Sequence, residues 1–167
     1  MQSKQSKQYI LKIILWSAVL IGMAGIFFLS AQTASESDTF SGKTIRIVVG
    51  VLMPQFEELS KAQQAKIVTA WQHTARKTAH ALLYLVLGLL CMTALLQHSL
   101  DMKMRTAIAL CISAGYAVTD EIHQLFVPGR GPQFSDVCID ACGALTGILL
   151  VVSVHRLLSN RTGNRSV

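Results

Sequence analysis

Charged side chains are scarce in this chain: only 14% of its 167 residues are Asp, Glu, Lys or Arg. A typical soluble domain carries about 25%. Hydrophobic residues make up 51%, and the mean hydropathy is +0.46. These values exclude an ordinary water-soluble domain and indicate an integral membrane protein, one domain over residues 1–167. The sequence lacks any C-x-x-C pair. Its four cysteines, Cys91, Cys111, Cys138 and Cys142, all fall in apolar segments, which predicts small buried hydrophobes and no disulfide framework. No basic stripe interleaved with aromatics is present, so the net charge of +6 does not imply nucleic acid. Its basic residues sit in tails and loops, where they set topology and meet anionic lipid. Internal repeats and low-complexity linkers are also absent.

What remains is long and apolar. The pattern predicts an all-α, polytopic membrane protein with four transmembrane helices, at approximately 13–31, 78–96, 106–127 and 134–158. The first run is long for a signal peptide, and "LSAQTAS" is a poor cleavage site, so it reads as an uncleaved span. The third run stays cleanly apolar only to Thr119, short of the roughly 20 residues a bilayer core requires. Its helix must therefore carry Asp120 to Gln124 near its end. "PGRGP", Pro128 to Pro132, stops it. Ser135 or Asp136 is expected to cap the fourth helix.

The first loop, Gln32 to Lys77, begins with polar "TASESDTFSG". Ile45, Val48, Val49 and Leu52 then recur at helical spacing, with Lys43 and Arg46 on other faces, which predicts a short interfacial helical segment. Pro54 interrupts it. Ser60 with Gln63 forms a capping box for a second helix, expected to run into span two. Lys4, Lys7, Lys12, Lys103, Arg105, Arg156, Arg161 and Arg165 lie on one side of such a bundle. Their density favours both termini in the cytoplasm of a bacterial cell, as a multi-pass protein of the cell membrane.

Antiparallel alternation brings the start of span two, the end of span three and the start of span four to one side, predicted extracellular. Those ends carry the chain's most concentrated polar residues. Each charge at such depth costs about 2.5–3.5 kcal/mol on insertion scales and by default marks a functional site. His80 and Tyr84 share a face at i,i+4, as do Asp120 and Gln124, and Asp136 and Asp140. Glu121 lies about 100° around from Asp120. Crowded carboxylates suit acid–base work, with Asp120, Glu121 and His80 as the candidate catalytic groups. Lys77, Tyr84, Gln124, Arg130, Asp136 and Asp140 are the candidate substrate-binding groups. Arg130, held between two glycines, suits bidentate capture of a phosphate. Carboxylates with His80 also form a donor set for Mg²⁺, Mn²⁺ or Zn²⁺, although no H-E-x-x-H spacing occurs, so the cofactor is left open. Gly143 and Gly147 make a small-x-x-x-small face for close helix packing.

Three blocks carry a family resemblance. "RKTAHALLYLVLGLL" (76–90), "TDEIHQLFVPGRGPQFSDVCIDACGALTG" (119–147) and "FFLSAQTASESDTFSG" (27–42) resemble the signature blocks of the VanZ-like family. The family's polar positions match at Lys77, His80, Tyr84, Asp120, Glu121, Gln124, Arg130, Asp136 and Asp140. Ala81 departs from it, where an aromatic often follows the histidine. The resemblance implies a small bacterial membrane protein whose founding member is associated with low-level teicoplanin resistance. It supplies a phenotype and no reaction. Three functions are compatible. The chain modifies or binds an envelope lipid or lipid-linked wall precursor at the outer leaflet, binds a lipoglycopeptide or precursor without chemistry, or acts as a small proton-coupled transporter. The expected partner is thus a membrane lipid, a lipid-linked precursor or a lipoglycopeptide.

Overall fold

A computed structural model describes residues 2–32, 42, 45–131 and 133–163. The polar stretch at 33–41, together with Lys43, Pro132, Arg165 and the side chain of Lys4, lies outside the described residues. Four long helices form one bundle: α1 (Gln2–Ser30), α3 (Lys61–Leu95), α4 (Met102–Gln124) and α5 (Phe134–Gly163). A short helix, α2 (45–52), and a 3₁₀ turn (Pro54–Glu58) precede α3. No strand occurs among the described residues.

The helix bounds follow local chemistry. The Ser60–Gln63 capping box is present, and no proline or glycine stands between Ser60 and Gly88 to break α3. The second predicted span is therefore the apolar part of one 35-residue helix. At about 1.5 Å per residue that helix is about 52 Å long, well beyond a hydrocarbon core of about 30 Å. Asp101 caps α4 by accepting the Met104 N–H at 2.6 Å. The helix ends at Gln124, three residues before the predicted boundary. At α5 the expected cap is corrected. The helix already begins at Phe134, and the Asp136 N–H bonds to the Gln133 carbonyl, which leaves Asp136 in the first turn.

Three helices contain stretches long and apolar enough to cross a membrane: Gln5–Ser30, Lys61–Leu95 and Phe134–Arg161. The remaining helix of the bundle, α4, falls short because Lys103, Arg105, Asp120 and Glu121 share its 23 residues. Leu87, Cys91 and Met92 of α3 pack with Val19 and Ile26 of α1, Ala109 and Ala117 of α4, and Ala144 and Ile148 of α5. Only Cys91 is buried; Cys111, Cys138 and Cys142 face outward, correcting the expectation for all four. Exposed Ile13, Leu20, Ile21, Phe28, Leu149 and Leu157 contribute to an apolar outer surface.

The glycines of α5 hold it against α3. A Cβ on Gly143 would overlap the backbone of Ala81, and one on Gly147 would overlap that of Leu85. Gly88 abuts Ala144 in the same way. The predicted small-residue face thus works inside the bundle. In the first loop, Ile45 and Val49 of α2 and Phe56 are buried against Ile67 and Val68, while Val48 and Leu52 remain exposed. The Gln64 amide donates to the carbonyls of Phe56 (3.0 Å) and Leu59 (3.1 Å) and ties this satellite core to α3.

Candidate functional site

Four helices deliver polar side chains to one end of the bundle. On α3, Lys77, His80 and Tyr84 line up at i, i+3 and i+7. The end of α4 supplies Asp120 and Gln124, and the first turns of α5 supply Asp136 and Asp140. Ser30, the last residue of α1, closes the group. The sequence reading overlooked Ser30, and its only signal was a hydroxyl at the end of an apolar run that topology brings to the same side.

Lys77 Nζ contacts Asp136 Oδ1 at 2.5 Å and also reaches Gln133 Oε1 and Ser135 Oγ. This ion pair joins α3 to the start of α5. Deeper in, the Ser30 hydroxyl donates to Asp120 Oδ2 at 2.9 Å and accepts from the Gln124 amide at 3.1 Å. His80 Nδ1 stands 3.8 Å from Asp120 Oδ2 and 3.9 Å from Asp140 Oδ2. Both separations exceed a hydrogen bond. Asp120 is 4% exposed and Asp140 2%. Their Oδ1 atoms and the hydroxyl of fully buried Tyr84 find no hydrogen-bond partner. Such atoms are costly to bury and rare without a reason. His80, Asp120 and Asp140 each present one donor atom, and the three atoms lie within 4.8 Å of one another, so these residues could hold a metal ion.

Above this floor opens a cavity of about 200 Å³. His73, Arg76, Lys77 and Arg130 bring basic groups to it, while His80 and Asp140 line it from within. His73 and Arg76 were not singled out as site residues in the sequence. Arg130 is presented by the turn between α4 and α5, where Gly129 adopts φ +78°, a left-handed conformation suited to glycine. The turn is closed by the Arg130 N–H bonding to the Val127 carbonyl.

The structure brings Lys77, His80, Gln124, Arg130, Asp136 and Asp140 to one cavity. Asp120 stands directly behind His80, and Tyr84 lies one turn deeper on α3. Glu121 goes elsewhere. Its carboxylate accepts the Gln133 backbone N–H at 2.8 Å and borders an apolar groove formed by Val118, Ile122, Leu125 and Phe134. Asp120 and Glu121 are sequence neighbours that serve different surroundings, because α4 turns by about 100° between them. His123 also stays outside the cavity and stacks on Phe27 with ring centroids 4.3 Å apart. His98 accepts from the Trp16 indole at 3.1 Å, in the connection between α3 and α4.

A family model described as VanZ/LLP1 matches residues 15–156, which include every site residue named above. No curated protein and no solved structure matches.

Proposed function

This chain belongs to the VanZ/LLP1 family, and from that premise we propose that it binds the anionic headgroup of an envelope lipid or lipid-linked wall precursor. Family membership suggests a membrane protein linked to glycopeptide resistance, and the proposal gives that link a physical site. The observation that carries it is the cavity: basic residues at its opening, a histidine–carboxylate floor, and an apolar bundle around it. In this reading Arg76, Lys77 and Arg130 hold the anionic group, with Lys77 fixed in place by Asp136. Gln124 orients the group from the cavity wall. His80 faces whatever enters, with Asp120 3.8 Å behind it, and Glu121 anchors the turn that carries Arg130.

Size argues for a headgroup over a drug. Pockets for drug-sized ligands run from about 300 to 1,000 Å³, and a lipoglycopeptide is larger still. A cavity of about 200 Å³ suits a phosphate-bearing group whose tails remain in lipid. A proton-coupled transporter is disfavoured because the interior beyond Tyr84 is built of Leu87, Met92, Ala117, Ile148 and similar apolar residues, with Ser113 the buried polar exception among the described residues. The proposal completes the topology with α4 as a fourth crossing, its polar end facing the wet cavity and its flanks covered by α3 and α5. Both termini are then cytoplasmic and the cavity opens at the outer leaflet.

The test is teicoplanin susceptibility of a sensitive Gram-positive host expressing wild type, Asp120→Asn or Arg130→Gln at matched membrane levels. The proposal expects wild type to protect and both variants to fall towards the empty vector. Full protection by both variants would overturn it.

A further inference from the structure

We propose that His80, Asp120 and Asp140 form a binding site for a divalent transition cation, of the Zn²⁺ or Mn²⁺ class, at the floor of the cavity. The proposal rests on reading this cavity as the functional site, but its test reads metal directly, so the two can fail separately.

The donor set comes first. One imidazole nitrogen and two carboxylate oxygens converge from three helices, α3, α4 and α5. Imidazole with carboxylate is a donor combination suited to Zn²⁺ or Mn²⁺, and it lacks the all-oxygen shell that Ca²⁺ and Mg²⁺ favour. Spacing comes second. His80 Nδ1 is 3.8 and 3.9 Å from the two oxygens, too far for hydrogen bonds and too close to leave the charges indifferent to one another. With metal–ligand bonds of about 2.1 Å, two ligands on a tetrahedral edge stand about 3.4 Å apart. The two separations from His80 need to close by only about half an ångström, and all three donor atoms already lie within 4.8 Å of one another.

Burial gives the independent signal. Asp120 Oδ1, Asp140 Oδ1 and Tyr84 Oη all lack partners, and the Tyr84 side chain is fully buried one turn below His80. Two carboxylates at this depth require compensation. Lys77 is already engaged by Asp136. A cation between His80, Asp120 and Asp140 would balance the buried charge.

The surroundings complete the pattern. Ser30 and Gln124 hydrogen-bond Asp120 Oδ2 from behind, as outer-shell groups orient metal-ligating carboxylates. Three protein ligands leave a coordination position open. Because His80 and Asp140 line the cavity, that position faces the space assigned to the headgroup, whose oxygen or a water could complete the shell.

The full-length protein, purified in lipid nanodiscs by a histidine-free tag and stripped with chelator, is titrated with Zn²⁺ or Mn²⁺, and bound metal is measured by mass spectrometry. The expected result is about one ion per chain for wild type. His80→Gln and Asp140→Asn should each weaken binding by at least about tenfold, with Glu58→Gln, on the exposed 3₁₀ turn, unchanged. Helical circular dichroism confirms that each variant is folded. Co²⁺ gives a second readout: visible ligand-field absorption in wild type that disappears in His80→Gln. No stoichiometric metal in folded wild type, or equal metal in both ligand variants, overturns the site. If metal is absent while anionic lipid is still retained, only the metal proposal falls. If metal binds while lipid preference is absent, the headgroup reading fails instead.

Discussion

Replacing Gly143 by alanine adds one methyl group where α5 meets α3, and its consequence can be worked out from contacts. The new Cβ would overlap the carbonyl group and Cα of Ala81, which are backbone atoms inside a helix and cannot rotate away. Relief to an ordinary contact of about 3.5 Å requires the helices to part by about 1 Å. His80 is adjacent to Ala81, and Asp140 lies three residues before Gly143, so the same displacement acts on the site. The 3.9 Å separation of His80 Nδ1 and Asp140 Oδ2 should widen to nearly 5 Å, about the helix displacement implied by the contact distance. Overpacking of this kind destabilises by about 1–3 kcal/mol, offset by up to about 1 kcal/mol of helix propensity. Gly115→Ala is the matched control, because a Cβ there meets nothing within 4 Å. Reversible unfolding in mixed micelles should show Gly143→Ala clearly less stable than Gly115→Ala, and only the former should lose teicoplanin protection. Equal stability and equal protection of the two variants would refute the argument that this glycine sets the spacing of the site.

Other expectations follow from single contacts. Ser30→Ala removes the hydroxyl that holds Asp120 Oδ2 and should weaken metal binding by about 10–100-fold, measured by competition with a chelating dye. Lys77→Met and Asp136→Asn should be non-additive, with a coupling of about 0.5–3 kcal/mol in a double-mutant unfolding cycle; purely additive losses would deny that the pair joins α3 to α5. Gly129→Ala forces a side chain into a left-handed backbone and should destabilise by about 1–2 kcal/mol, with loss of protection because the turn carries Arg130.

Much of the site was legible because helices impose a period. His80 with Tyr84, Asp120 with Gln124, and Asp136 with Asp140 each read as one face, and antiparallel alternation puts those faces at one end. Charges in apolar runs are rare enough that position alone flagged them. What could not be read depended on rotation and packing. Glu121 differs from Asp120 by one residue, yet only the contact between α4 and α5 decides that it turns to the Gln133 N–H. Ser30 makes two buried hydrogen bonds, but a lone hydroxyl ending an apolar run has no periodic signature. The continuity of α3 from Lys61 was half visible in its capping box. A search for apolar windows sees only the part of that helix from Thr78 onward. The four-span reading met a similar limit: three helices are long and apolar enough to cross a membrane, and the charges of α4 lower the hydropathy by which spans are recognised.

The central claim is that the basic cavity holds an anionic headgroup, and native mass spectrometry of the protein extracted from anionic and neutral mixed-lipid nanodiscs tests it most directly. Wild type should retain anionic phospholipid in preference to phosphatidylcholine, and Arg130→Gln should lose that preference while keeping its helical content. Equal retention of anionic and neutral lipid by wild type, or an undiminished preference in Arg130→Gln, would contradict the account.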